Sequence, residues 1–275
     1  MLKRTVAGIT GSILVCIAIF FNQTYPVILN TLIAVSCGLA IYELFSAMGI
    51  LKMYFLTVPT FIFTIFLPLF GFGFYFHLLW YIYTLTIFIV MLIFKDEINF
   101  KNIASVYVMA LVIAISFGLF IKVRDTGGKY GTFYIVLILV VAWMTDTGAY
   151  FCGSFFGKHK LCPQISPKKT VEGALGGIIV SVLSALATCL IFQNFIFDKQ
   201  VFINYFLIVL IAVIGAIISM VGDLSFSLVK RSCNIKDFGN VIPGHGGILD
   251  RLDSVIFLSP LIYFLLIVFP VVQNI

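Results

Sequence analysis

Residues 203–221 read INYFLIVLIAVIGAIISMV, a stretch without a charged side chain. A membrane-spanning helix needs about 20 mostly apolar residues, so this stretch is long enough to cross a bilayer. Further apolar stretches of comparable length lie at residues 5–22, 27–49, 53–71, 74–94, 103–121, 132–150, 174–193 and 255–272. The sequence therefore predicts an all-α, polytopic integral membrane protein with about nine transmembrane helices.

The composition agrees with that class. Of 275 residues, 62% are hydrophobic and 10% are charged, whereas soluble domains average roughly 25% charged residues. This balance excludes an ordinary soluble globule. It also excludes an intrinsically disordered chain, because such chains contain too few apolar residues to offset the entropy lost on folding.

The distribution of Lys and Arg predicts the orientation, because positively charged loops stay in the cytoplasm. With the N-terminus cytoplasmic, 13 basic residues fall inside and 4 fall outside. We interpret residues 5–22 as a retained span, since residues 22–26 offer no small-residue cleavage site of a signal peptide. Two long polar segments, 151–173 and 222–254, then face the cytoplasm, and a bacterial plasma membrane is the expected location.

The polar residues divide the chain into two parts. Residues 1–130 are N-terminal membrane helices without diagnostic motifs, and residues 131–275 carry the predicted catalytic loops, 151–173 and 222–254. Glu43 is the acidic residue inside a predicted span of the first part. We expect its side chain to reach the membrane interface, with a direct functional role as the alternative.

The sequence lacks the motifs of zinc sites, P-loops and nucleophilic serines. The six cysteines form no CxxC pair and do not combine with the three histidines at ligand spacing. We therefore expect reduced, buried cysteines and no structural zinc. Neither a GxxxxGK[ST] loop nor a GxSxG nucleophile motif is present, which argues against a P-loop enzyme and against a covalent intermediate.

The first polar cluster consists of TDTGAY at 145–150, GKHK at 157–160 and SPKKTVEG at 166–173. Lysines and hydroxyl donors that lead into a helix near Glu172 suit a phosphate group. The alternative is a basic loop that binds anionic lipid headgroups without specificity. Gly173 and Gly177 have the GxxxG spacing, which is typical of close helix packing.

The second polar cluster consists of GDLSFSLVKR at 222–231, KDFG at 236–239 and PGHGGILDRLD at 243–253. If its first part is helical, Asp223, Ser227 and Lys230 share one face. Asp223 and Asp250 are the preferred Mg²⁺ ligands, because carboxylates together with phosphate oxygens bind this ion. Asp253 is the second choice, with an ion pair to Arg251 or Lys230 as its alternative. A solvated loop closed by ion pairs is the non-functional explanation.

This second cluster closely resembles the signature of the phosphatidate cytidylyltransferases, also called CDP-diacylglycerol synthases. The resemblance includes DTGAY at 146–150 and SPKKTVEG at 166–173, so it covers roughly residues 140–254. It implies that CTP and phosphatidic acid give CDP-diacylglycerol and pyrophosphate, with Mg²⁺ required and a second cation as an open alternative.

The reaction implied by the resemblance gives the polar residues their expected roles. The catalytic group is Asp223, Lys230, Arg231, Asp250, Arg251 and Asp253, of which Asp223 and Asp250 are the metal ligands. The substrate-binding group is Asp146, Ser166, Lys168, Lys169, Thr170, Glu172, Ser227, Lys236, Asp237, His245, Gly246 and Gly247. Whether His245 acts as acid, base or hydrogen-bond donor is left open.

Two other functions remain as alternatives. A CTP-dependent lipid kinase acting on a polyprenol-like alcohol would transfer the γ-phosphoryl group instead. An ion or phosphate transporter would place carboxylates near helix ends, but it predicts repeat symmetry that the first part of the chain lacks. The expected partners are CTP, phosphatidic acid and the bilayer, without nucleic acid, and the GxxxG spacing is compatible with a homodimer.

Overall fold

Nine α-helices, two short 3-10 helices (Leu67–Phe70 and Gly128–Tyr130) and four short strands form the regular structure of the described part of the chain. The computed structural model describes residues 2–97, 99–197, 201–239, 246–269 and 271–274. The helices are α1 (Leu2–Phe21), α2 (Pro26–Met48), α3 (Tyr54–Phe66), α4 (Phe74–Ile93), α5 (Phe100–Gly127), α6 (Gly131–Phe156), α7 (Val171–Phe195), α8 (Tyr205–Ser232) and α9 (Leu249–Val268). The strands are β1 (Lys160–Cys162), β2 (Ser166–Thr170), β3 (Val201–Ile203) and β4 (Val272–Asn274).

Each of the predicted apolar stretches coincides with one of these helices, which confirms the helical membrane-protein class. Among the described residues, six helical segments are long and apolar enough to cross a membrane: Pro26–Met48, Phe74–Ile93, Phe100–Phe156, Val171–Phe195, Tyr205–Ser232 and Leu249–Val268. The segment Phe100–Phe156 contains both α5 and α6. The number of spans and the side of the N-terminus stay predictions.

The chain forms two compact units. The first unit comprises Met1–Lys122 and Cys233–Leu252, and the second comprises Val123–Ser232 and Asp253–Ile275. These bounds differ from the division at residue 130 that the sequence suggests. Because the segment 233–252 belongs to the first unit, that unit carries part of the second polar cluster.

An aromatic stack fills the core of the first unit. The rings of Phe63 and Tyr83 stack at a centroid distance of 4.0 Å, and the rings of Tyr83 and Tyr107 stack at 5.6 Å. The hydroxyl groups also have partners: Tyr83 shares a hydrogen bond of 3.2 Å with Thr60, and Trp80 Nε1 donates to the Tyr107 hydroxyl oxygen at 3.1 Å. Large rings with satisfied hydroxyl groups thus connect α3, α4 and α5.

Glycines bring α6 and α7 together in the second unit. In the GxxxG pair, a Cβ atom at Gly173 would lie 2.7 Å from the carbonyl oxygen of Ala149, and one at Gly177 would lie 2.8 Å from the carbonyl oxygen of Thr145. A side chain at either position would therefore push the helices apart. The predicted role of the GxxxG pair in close helix packing is confirmed, within a single chain, and the homodimer stays a prediction.

The two polar segments contain more regular structure than predicted. In the first, β1 and β2 form an antiparallel hairpin between α6 and α7. In the second, α8 continues to Ser232, so the conditional prediction that Asp223 to Arg231 are helical is confirmed. Strands β3 and β4 form the other two-stranded sheet. All four strands are three to five residues long, too short for an alternating pattern to predict them.

Candidate functional site

A polar stripe runs along the last turns of α8 in the second unit. Asp223, Ser227 and Lys230 follow one another at helical spacing, and the Ser227 hydroxyl donates to Asp223 Oδ1 at 3.4 Å. Ser227 and Lys230 are both buried. An ammonium group in a buried position needs anionic partners, so this stripe is suited to binding negatively charged groups.

Strand β2 supplies the cation that faces Asp223. Lys169 is half-buried and its Nζ forms an ion pair with Asp223 Oδ2. The preceding residue, Lys168, is exposed, because neighbouring side chains of a strand point to opposite sides. The sequence predicts the same role for both lysines, but in the structure it is Lys169 that contacts the Asp223 carboxylate.

Asp253 on α9 is the most buried of the predicted catalytic carboxylates, with 5% of its surface exposed. The charges of Asp223, Asp146 and Lys230 all act on it. Gly222 permits α8 to approach closely, since a Cβ there would lie 3.0 Å from the Asp253 carbonyl oxygen. The second unit thus brings Asp223, Asp146 and the buried Lys230 within electrostatic range of Asp253.

Glu172 and Thr170 join the hairpin to the start of α7. The Glu172 carboxylate accepts the backbone N–H of Lys158 at 3.0 Å and lies 2.6 Å from Nδ1 of His159. Thr170 Oγ1 accepts the N–H of Gly173 at 3.1 Å, as a helix N-cap does. Both side chains therefore have local structural partners, and their predicted contacts with substrate stay predictions. His159 was not among the predicted site residues, and only its position beside two lysines marked it.

Arg231 connects the end of α8 to the hairpin turn. Its Nε donates to the carbonyl oxygen of Ile165 at 3.4 Å. The next residue, Ser166, begins β2 and is half-buried. Arg231 is therefore positioned next to the same strand that carries Lys169.

In the first unit, Asp250 holds the loop that precedes α9. Its Oδ2 accepts the backbone N–H of Phe238 at 2.9 Å and that of Gly247 at 3.1 Å. Gly246 has φ +85°, which favours glycine. The predicted site residues Lys236, Asp237 and Arg251 are exposed in this region, and His245 lies outside the described residues.

Glu43 is buried inside the first unit, and its position relative to the membrane interface stays a prediction. It is 1% exposed, and its two carboxylate oxygens accept the N–H groups of Ile248 and Leu249, both at 2.9 Å. Sequence reasoning missed this contact because the partners are more than 200 residues apart. The only signal was an acidic residue in an apolar helix.

The described carboxylates could provide some, but not all, of the ligands of a magnesium ion. Among the residues that the structure describes, no group of three or more His, Cys, Asp or Glu side chains could hold a metal ion. Mg²⁺ is commonly bound by one or two carboxylates together with substrate phosphates, so the carboxylates fit an ion that arrives with a nucleotide. Asp223 and Asp250 belong to different units, and their pairing stays a prediction.

Comparison with known proteins connects this arrangement to a family. A model of the cytidylyltransferase family matches residues 3–269. A phosphatidate cytidylyltransferase of Bacillus subtilis is 45% identical over 174 residues, which cover 63% of this chain and 60% of the relative. The protein of that name from Staphylococcus epidermidis is 39% identical over 173 residues, 63% of this chain and 62% of the relative. The match therefore spans less than two thirds of the length of these relatives.

Proposed function

Because the chain belongs to the cytidylyltransferase family, we propose that it makes CDP-diacylglycerol from CTP and phosphatidic acid. A phosphate oxygen of phosphatidic acid attacks the α-phosphorus of CTP. The bond from that phosphorus to the bridging oxygen of the β-phosphate breaks, and pyrophosphate leaves. Such a transfer requires the protein chiefly to position the reactants and to neutralise charge.

The observation that carries the proposal is the ion pair between Lys169 and Asp223, on the helix that also carries the buried Lys230. Both substrates are polyanions, so a phosphate can replace the carboxylate as the partner of Lys169. Lys230 offers a second positive charge on the same helix face as Asp223. The arrangement can thus accept negative charge from substrate without burying an unpaired cation.

Magnesium is the metal that suits this chemistry, and Asp223 and Asp250 are its proposed ligands on the basis of the sequence motif. The bound ion would neutralise phosphate charge, and a second cation could serve the leaving group. In the second unit, the negative charges of Asp223 and Asp146 act unfavourably on the carboxylate of Asp253. That repulsion supports the binding of a cation near Asp223.

The helical membrane segments support a lipid substrate. A phosphatidic acid molecule can remain in the bilayer while its phosphate meets the polar cluster. We further propose a bacterial plasma membrane and a cytoplasmic position for the polar segments. The excess of Lys and Arg on that predicted side supports this orientation, and CTP is then available from the cytoplasm.

A labelling experiment tests the proposed reaction. Purified protein in detergent is incubated with Mg²⁺, phosphatidic acid and CTP that is labelled separately on the cytosine ring and on the γ-phosphate. We expect cytosine label in the lipid fraction, and none after addition of EDTA. Transfer of γ-phosphate label to a lipid alcohol would indicate the kinase instead. The absence of either label in lipid, with folded protein, would contradict the proposal.

A further inference from the structure

The buried carboxylate of Glu43 on α2 caps the N-terminus of α9. It accepts the N–H groups of Ile248 and Leu249, which lie 205 and 206 residues later in the chain. The first N–H groups of a helix have no acceptor within that helix. A negative charge at this end is also favoured by the helix dipole. A distant helix therefore supplies the acceptor that α9 needs.

The backbone around Glu43 has glycine where a side chain would collide with the carboxylate. A Cβ atom at Gly247 would lie 2.4 Å from Glu43 Oε2, and one at Gly239 would lie 2.8 Å from Oε1. Two separate backbone segments therefore pass directly against the same carboxylate. Such a fit requires both the glycines and the full length of the Glu43 side chain.

Asp250 holds the same turn through the neighbouring amide. Three consecutive N–H groups, of Gly247, Ile248 and Leu249, donate to Asp250, Glu43 and Glu43 respectively. We propose that Glu43 is a positioning residue, which fixes this turn and thereby the orientation of Asp250. The inference rests on the proposed function, in which Asp250 is a metal ligand. Residues that orient metal ligands commonly affect metal affinity and activity.

The test compares Glu43→Ala and Glu43→Gln with a matched control, Thr60→Val. Thr60 is also a buried polar residue of the first unit, and its hydroxyl contacts Leu56 and Tyr83. Two properties are measured in the full chain. One is the rate of cytidylyl transfer as a function of Mg²⁺ concentration, and the other is hydrogen–deuterium exchange of the peptide covering residues 246–252.

We expect Glu43→Ala to lower kcat by about 10- to 100-fold and to raise the Mg²⁺ concentration for half-maximal rate. Exchange at residues 246–252 should become faster. Glu43→Gln should show the same changes to a smaller extent, because its amide keeps one acceptor oxygen. Thr60→Val should change neither the Mg²⁺ dependence nor this exchange, even if it lowers the melting temperature.

A second substitution tests the direct contact. Gly247→Ala should reduce the rate in the wild-type background, but it should add little to Glu43→Ala, because the colliding carboxylate is then absent. If Glu43→Ala has the same kcat, the same Mg²⁺ dependence and the same exchange as the wild type, the inference is overturned. If that variant does not fold, the same result in Glu43→Gln would do so.

The two proposals fail in different ways. A wild-type protein that transfers no cytidylyl group contradicts the proposed function, whatever happens at Glu43. The exchange measurement then still decides whether Glu43 fixes the turn. Unchanged exchange in both Glu43 variants, together with normal transfer by the wild type, would overturn the positioning role alone.

Discussion

The carboxylates of the two units have different kinds of partner. In the first unit, Glu43 and Asp250 accept backbone N–H groups of the turn before α9. In the second unit, Asp223 forms an ion pair with Lys169, and the charge of Lys230 acts on Asp253. A backbone partner fixes local shape, whereas a lysine can move to a phosphate. The difference suggests that the first unit provides geometry and the second provides exchangeable charge.

The two units also differ in the residues that pack their helices together. The first unit contains stacked rings with hydroxyl partners, while the second brings α6 and α7 together through glycines. Ring stacks tolerate small adjustments of the backbone, but a glycine contact does not tolerate an added methyl group. The hairpin with Lys169 connects these two closely packed helices in the chain, so a change in their packing would act on both of its ends.

The largest expected effect tests whether charge in the second unit is essential. Asp223→Asn should lower the rate of cytidylyl transfer by at least about 100-fold, because it removes a proposed Mg²⁺ ligand and the anionic partner of Lys169. The rate is measured with purified protein whose folding is verified by its elution as a single species. Asp96→Asn makes the same change at an exposed carboxylate of the first unit and should stay active. Near-normal activity of Asp223→Asn would contradict the assignment of an essential charge to the second unit.

The two adjacent lysines on β2 test whether substrate binding depends on the position of the charge. Lys169→Ala should raise the KM for CTP or for phosphatidic acid by about 10- to 100-fold, since a hydrogen bond to a charged group contributes about 1.5–3 kcal/mol. Lys168→Ala should change either KM by less than about threefold, because exposed ion pairs contribute little. Equal effects of the two substitutions would mean that the loop acts only through its total charge.

A stability measurement tests the glycine contact. Gly176→Ala should lower the free energy of unfolding by about 1–3 kcal/mol, the usual cost of overpacking. Cys152→Gly in the same chain should restore much of it, because it removes the Cβ that lies 2.2 Å from the added methyl group. Gly73→Ala is the control in the first unit, where nothing lies within 4 Å of an added Cβ. A failure of the double substitution to recover stability would contradict this packing.

The smallest effect is expected in the aromatic stack. Tyr83→Phe keeps the ring but removes its 3.2 Å hydrogen bond to Thr60. Such bonds within membrane proteins contribute on average about 0.6 kcal/mol. We expect a slightly lower melting temperature with an unchanged rate of transfer. A large loss of activity would show that the stack does more than fill the core.

The helices could be predicted from the sequence because length and apolar character are local properties. The stripe of Asp223, Ser227 and Lys230 was also predictable, since helical spacing alone places these residues on one face. The hairpin was not, because SPKKT at 166–170 contains proline and two lysines instead of an alternating apolar pattern. The role of Glu43 depends on backbone amides far along the chain, which no local pattern can indicate.

The ring stack also determines how the protein can be observed. The chain has two tryptophans, and Trp80 donates its indole N–H to Tyr107 in the first unit, while Trp143 lies on α6 in the second. Each unit therefore contains one tryptophan. Replacing either indole with phenylalanine leaves a single tryptophan emission that reports on one unit, so the melting of the two units can be followed separately without attaching a dye.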